Sequence, residues 1–319
     1  MSSRAHRQPA PSLGRFLYPH ERVMNLWTGV LPAITTPFNT DLSVDHGTVR
    51  SHVRWLVSQG CTGIIPCGSL GEGATLSQEE KAAVMRTCVD AVKVPVIPGI
   101  AALSTAEAVQ LARAAEEAGC AGLMVLPPYV YSSDWREMKA HISAVLRATK
   151  LPCLLYNNPV AYKTDFTPAH LAELAAEHDN AVAVKESSTD ARRVTAIRAL
   201  LGDRLAVGVG VDDCLVEGVD AGARFWVAGL VNAFPAESVR LFELALAGKK
   251  QAAFELYRWF LPLLRLDTVT KFIQLIKLVQ QEVGWGHERV RGPRLELAGA
   301  EREECLRVLR EALANRPAL

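Results

Sequence analysis

From about residue 29 onward one pattern recurs: a short apolar run, a loop marked by glycine or proline, then a segment with apolar residues at helical spacing. The apolar runs at 29–35, 63–66, 94–100, 122–126, 153–156, 181–185, 205–208 and 224–228 are predicted strands. They read as nearly continuous apolar stretches, as expected of parallel strands covered on both faces. Helices are predicted between and after them at 44–59, 77–92, 104–118, 133–149, 167–178, 189–201, 212–221 and 235–247. Ser77 followed by Glu80 forms a capping-box pattern, and Thr167 before Pro168 marks another helix start. Eight such units predict an α/β protein of the (β/α)8, or TIM, barrel type. A doubly wound open sheet is the alternative, but it requires no regular count to eight.

Past residue 248 the strand pattern stops, and 250–265, 267–283 and 299–314 read as helices. The run 272–279 carries an apolar face at i, i+3, i+4 spacing. The chain therefore divides into an arm at 1–27, a barrel at 28–248 and a helical layer at 249–319, which either covers the barrel or packs on another subunit. The arm sets Arg4, Arg7, Arg15 and Arg22 against the single acid Glu21 and contains Pro9, Pro11 and Pro19. It lacks the apolar segment of a secretory signal and is expected to be disordered. No apolar run reaches the length of a membrane span.

Charge narrows the partners. A net charge of +1, with 22% charged residues, points to neither a nucleic-acid nor a membrane surface. The cysteines at 61, 67, 88, 120, 153, 214 and 305 show no CxxC spacing. They read as reduced, buried thiols of a cytoplasmic protein, without disulfides or zinc. The histidines fall in the arm, in predicted helices or in the tail, and none ends a strand, which argues against a metal-dependent barrel. Gly208-Val209-Gly210 loosely fits a phosphate loop, but Asp212 and Asp213 follow at once and are expected to cap the next helix instead.

Barrel active sites lie at the C-terminal ends of the strands. Ala181-Val182-Ala183-Val184 runs there into Lys185, which by alternation shares a face with the small Ala183. Desolvation of such a lysine disfavours the ammonium and favours a nucleophilic amine, making Lys185 a candidate Schiff-base residue. The competing reading is a solvated or ion-paired lysine at a strand end. The loop Pro66-Cys67-Gly68-Ser69-Leu70-Gly71-Glu72-Gly73 lets consecutive amides approach a carboxylate. Its plainer reading is a tight turn with Glu72 near a helix N-terminus. Tyr156, on the face of Leu154, stands where a phenol could shuttle protons, although an isolated tyrosine there is more often a core aromatic.

Together these residues resemble the dihydrodipicolinate synthase and N-acetylneuraminate lyase family of class I aldolases. The resemblance spans about residues 28 to 315. It rests on the GSxGE loop (Gly68, Ser69, Gly71, Glu72), the YNxP turn (Tyr156, Asn157, Pro159), the VKES lysine (Val184 to Ser187) and Pro128-Tyr129. It implies a (β/α)8 barrel with a C-terminal helical extension, assembled as a homo-oligomer, a tetramer or a dimer. Lys185 would form an imine with a small-molecule 2-oxo acid such as pyruvate, and Tyr156 would carry protons. Ser69 and the amides of Ser69 and Leu70 would hold the carboxylate, with Gly68, Tyr129 and Val211 also lining the substrate site. No cofactor and no metal are implied.

Three positions depart from members that make dihydrodipicolinate. Ala161 stands where they carry an arginine for the second substrate's carboxylate, and Leu70 and Val130 stand where they carry hydroxyls. Tyr131 is the nearby residue able to replace one of those hydroxyls. The resulting pocket favours a less charged distal substrate end. The same imine serves aldol cleavage or condensation and also elimination, as in the family's dehydratases and deaminases. A non-catalytic metabolite-binding barrel is the remaining alternative, and it has no need of a desolvated amine.

Overall fold

The computed structural model describes residues 26–128 and 134–319. Its strands are β1 (Gly29–Pro32), β2 (Gly99–Ile100), β3 (Leu123–Val125), β4 (Cys153–Asn157), β5 (Ala181–Glu186), β6 (Ala206–Val209) and β7 (Phe225–Ala228). They pair in parallel in the order β1-β7-β6-β5-β4-β3-β2. The predicted strand at 63–66 supplies the missing stave as single bridges, Ala33 to Ile65 and Ile64 to Val96. Ile65 N donates to Pro32 O at 2.8 Å and Ile64 N to Pro95 O at 2.8 Å, so the ring closes between β1 and β2. This stave and the predicted 94–100 strand are shorter than expected because Pro66, Pro95 and Pro98 have no N–H to give the ladder. The architecture is an α/β TIM barrel with a C-terminal helical extension.

The surrounding helices are α1 (His46–Ser58), α2 (Gln78–Ala91), α3 (Thr105–Glu117), α4 (Trp135–Arg147), α5 (Pro159–Tyr162), α6 (Pro168–Glu177), α7 (Arg192–Leu201), α8 (Leu215–Asp220) and α9 (Pro235–Leu246). Both expected caps form. Ser77 Oγ accepts from Glu80 N at 3.2 Å while Ser77 N donates to Glu80 Oε2 at 2.9 Å, and Thr167 caps α6 with His170 answering. Each such cap contributes about 1 kcal/mol. The four-residue α5 is a turn that periodicity does not reveal. Pro159 fits its first position and Asn158 Oδ1 accepts from Ala161 N at 3.0 Å.

After α9 come α10 (Lys250–Leu264), α11 (Phe272–Glu282) and α12 (Gly299–Ala314). The helix predicted from 267 starts only at Phe272. Arg265–Asp267 form a single tight turn, and Thr268, Val269 and Thr270 follow as β-branched residues that lose side-chain freedom in a helix. α11 lies against the end of β1, where Thr35 Oγ1 donates to Gln280 Oε1 at 2.7 Å and Lys277 Nζ to Thr36 O at 2.9 Å. At the opposite end Trp27, just before β1, packs on Phe225 with ring centroids 6.0 Å apart and reaches to 3.5 Å of where a Cβ on Gly122 would stand. Large buried side chains thus fill the barrel's lower interior and leave function to its upper rim.

Candidate functional site

The register of β4, β5 and β6 sets Tyr156 beside Lys185 and Lys185 beside Gly208, with Leu154 and Ala183 one layer below. Period-two alternation puts all of them on the barrel's inner face. Lys185 is only 6% exposed, and its Nζ stands 4.2 Å from the centroid of the Tyr156 ring. Among the described residues, that amine makes no hydrogen bond and no ion pair. Its stem lies over Gly210, where a Cβ would come within 2.5 Å of Lys185 Cε and 2.0 Å of Ser187 Oγ. A side chain at 210 would therefore displace the lysine.

Tyr156 is buried, and its hydroxyl accepts from Asn158 Nδ2 at 3.0 Å. The Tyr162 ring meets it edge-on with centroids 5.8 Å apart, and the Tyr162 hydroxyl is hydrogen-bonded to Ser69 Oγ. The next residue on each strand fastens the pair from outside. Asn157 Nδ2 donates to Glu186 Oε2 at 3.0 Å and to Asp165 Oδ1 at 3.2 Å, while Asn157 Oδ1 accepts from Phe166 N at 2.9 Å. Burial pushes the Glu186 carboxyl up, opposed by its bonds from Asn157 and Ser188.

The loop after the 63–66 stave turns at two left-handed residues, Cys67 (φ 60°) and Glu72 (φ 53°). Glu72 is fully buried and does not sit free at a helix N-terminus. Lys277 Nζ donates to its Oε1 at 2.6 Å and Arg291 N to its Oε2 at 3.0 Å. Gly73 must lack a side chain, because a Cβ would lie 2.2 Å from Cys67 O. Thr36 Oγ1 donates to Gly71 O at 2.7 Å and Gly73 N to Gly68 O at 3.1 Å. The amides of Ser69 and Leu70 donate to no carbonyl among the described residues, which leaves two N–H groups for an anion. Burial holds the Cys67 thiol up at about 12, so it is no nucleophile near neutral pH.

Of the other expected site residues, Val211 lies buried directly after Gly210, while Tyr129, Val130 and Tyr131 fall outside the described residues. Several groups at the rim were not read from the sequence. Among the described residues Ser187 Oγ is buried without a partner, Tyr162 joins Ser69, and Asp212 does not cap the following helix. Asp212 instead accepts from Trp226 Nε1 at 3.0 Å, Gly229 N at 3.1 Å and Leu230 N at 2.8 Å. Burial pushes its carboxyl up to about 6 against those bonds. A serine two residues past a strand-end lysine lies on the lysine's own face, and that spacing was the available signal for Ser187. No cluster of three or more potential metal ligands occurs among the described residues, nor is any helix there long and apolar enough to cross a membrane.

Fold and rim together define a class: a TIM barrel with a C-terminal helical extension whose mouth carries a dry lysine beside a phenol. The chain belongs to the dihydrodipicolinate synthetase family, which it matches over residues 26–312. It is 35% identical over 241 residues to the 4-hydroxy-tetrahydrodipicolinate synthase of Methanothrix thermoacetophila, covering 75% of this chain and 81% of that protein. The enzyme of the same name from Geotalea daltonii is 31% identical over 292 residues, covering 90% and 99%. The crystal structure of dihydrodipicolinate synthase from Aquifex aeolicus superposes with a TM-score of 0.86 at 27% identity, covering 89% of this chain and 98% of the other.

Proposed function

We propose that the protein is a Schiff-base-forming lyase that acts on pyruvate or a related 2-oxo acid, with Lys185 as the imine-forming residue. The observation that carries this reading is the buried Lys185 amine, unpaired among the described residues, with its stem seated on Gly210 and its tip over Tyr156. The undonated amides of Ser69 and Leu70 supply an anion cradle for the 2-oxo acid's carboxylate. Lys185 Nζ adds to the C2 carbonyl and water leaves. The resulting iminium draws electrons from the neighbouring bond, which breaks or forms through an enamine. Tyr156, whose hydroxyl already accepts a hydrogen bond from Asn158, carries the protons of addition and release. Water then returns the lysine.

Aldol chemistry and elimination from a hydroxylated 2-oxo acid share this intermediate. The reading does not extend to dihydrodipicolinate formation. Ala161 lies exposed on α5 and offers no guanidinium to a second carboxylate, and Leu70 is buried beside Ser69 without a hydroxyl. Incubation with pyruvate and borohydride, followed by peptide mass spectrometry, is expected to place a reduced adduct on Lys185. An unmodified Lys185, or an adduct elsewhere, would overturn the assignment.

A further inference from the structure

A second charged side chain enters the barrel mouth, and it comes from the helical extension. Lys185 pairs with Gly208 and Gly208 with Phe225, and a Cβ on Gly208 would lie 2.1 Å from the Phe225 ring, so these positions share the inner face. Counting by twos from there leads to Gly210 above β6 and to Gly229 above β7. These two glycines, on adjacent staves, each make room for a side chain from elsewhere. Gly210 seats the Lys185 stem. At Gly229 a Cβ would lie 2.0 Å from Asp267 Oδ1 and 2.3 Å from its Cγ. The Asp267 carboxyl therefore occupies the inner-face position of the β7 stave, roughly one or two strand spacings of about 5 Å from the lysine stem.

Two further facts suit a ligand there. Among the described residues, neither Asp267 oxygen has a hydrogen-bond donor, whereas the neighbouring Asp212 is fully occupied by two amides and an indole. Asp267 as a residue is half-buried. Desolvation first and the Asp212 carboxylate second push its carboxyl well above the usual range, with Lys185 opposing. A carboxyl there accepts a hydrogen bond from a hydroxyl or amino group and, when ionised, repels a substrate carboxylate.

We propose that the Asp267 carboxyl is a substrate-contacting, specificity-determining group that takes a hydroxyl or amino substituent on the chain of the 2-oxo acid held at Lys185. This rests on the imine reading above and names its substrate class: a 2-oxo acid whose chain bears a hydroxyl or an amine in place of a second carboxylate.

The test compares 4-hydroxy-2-oxobutanoate with 2-oxobutanoate by the concentration dependence of borohydride trapping in the wild type, Asp267→Asn and Asp267→Ala. The preference for the hydroxylated acid is expected to fall about 10- to 100-fold in both variants, the range of one hydrogen bond to a charged or desolvated group. An equal loss for both acids, or an unchanged preference, would overturn the proposal, as would a wild type that prefers a dicarboxylic 2-oxo acid. Calorimetric binding of the hydroxylated acid to Lys185→Ala and to Lys185→Ala/Asp267→Asn reads the contact without the imine. Weaker binding by the double variant supports it, and equal binding sinks it, even if trapping at Lys185 itself fails.

Discussion

Two of the buried lysines, Lys277 and Lys185, each set the ammonium over an aromatic ring, and they are held in opposite ways. Lys277 is 1% exposed, 4.3 Å above the Phe38 ring, and bonded to both the Glu72 carboxylate and Thr36 O. Lys185 lies 4.2 Å above the Tyr156 ring and has no such partner among the described residues. Burial lowers Lys277 to about 8 even with Glu72 pulling the other way, a measure of how costly the site is for a charge. Its ion pair ties α11 to the GSxGE loop, so its role is to hold that loop still. Lys185 holds nothing in place. On the proposed reading Lys185 serves the reaction, and the contrast between the two lysines then separates structure from chemistry.

Replacing each lysine with methionine tests the contrast directly. Lys185→Met is expected to lower turnover by about 10⁴-fold or more, since no other group supplies the amine. Stability should change by less than about 1.5 kcal/mol, because the stem's volume is kept and no bond is lost. Lys277→Met should do the reverse. It strands the fully buried Glu72 and should cost about 3–5 kcal/mol in urea unfolding. The Lys277→Met/Glu72→Gln double variant should recover most of that, as the glutamine carries no charge and can still accept from Arg291 N. Comparable destabilisation by the two single changes would erase the distinction.

Much of this was legible in the chain because buried parallel strands are apolar on both faces, and Lys185 and Tyr156 fall on the inner face by counting in twos. The failures have local causes. Proline shortened two predicted strands, and a four-residue helix such as α5 is too short to show a period. Gly208-Val209-Gly210 fits a phosphate loop only loosely and the acids that follow speak against one, but the sequence does not show what its glycines serve, which is room for the Phe225 ring and the Lys185 stem. Asp212 read as a helix cap, but it ties the β7 end by two amides and an indole. Tyr162 at Ser69 and Asp267 at Gly229 join residues 93 and 38 positions apart. No short-range pattern encodes such pairs, since closing the barrel is what brings them together.

Tyr156→Phe probes the chemical side of the contrast more gently. It keeps the ring under the Lys185 ammonium and against Tyr162 and removes only the hydroxyl that accepts from Asn158. Turnover is expected to fall about 100-fold, the low end for removal of a proton carrier. The final yield of borohydride-trapped imine should stay close to wild type, although it forms more slowly. A variant that traps no imine at all would show that the phenol positions the lysine and does not move protons.

The smallest effect belongs to the structural side, at the ion pair that flanks the buried one. Arg291, whose own amide serves Glu72, reaches Glu80 with Nη1 at 2.7 Å and Nη2 at 2.5 Å, and Nη1 also meets Thr75 O at 3.0 Å. The two side chains are 16% and 31% exposed, so solvent screens the pair, and about 1 kcal/mol or less is expected of it. The Arg291 bond, ahead of the opposing desolvation, lowers the Glu80 carboxyl below its ordinary 4.5. A carboxylate lowered on folding contributes stability that is fully present above its unfolded value and is lost as pH falls through the folded one. Glu80→Gln can still complete the capping box with Ser77, so the substitution isolates the charge. Its cost in urea unfolding should therefore be measurable at neutral pH and should vanish below the ordinary glutamate range. A cost that stays the same in acid would mean that the loss does not come from the Glu80 charge, leaving Lys277–Glu72 as the ion pair that fixes the loop.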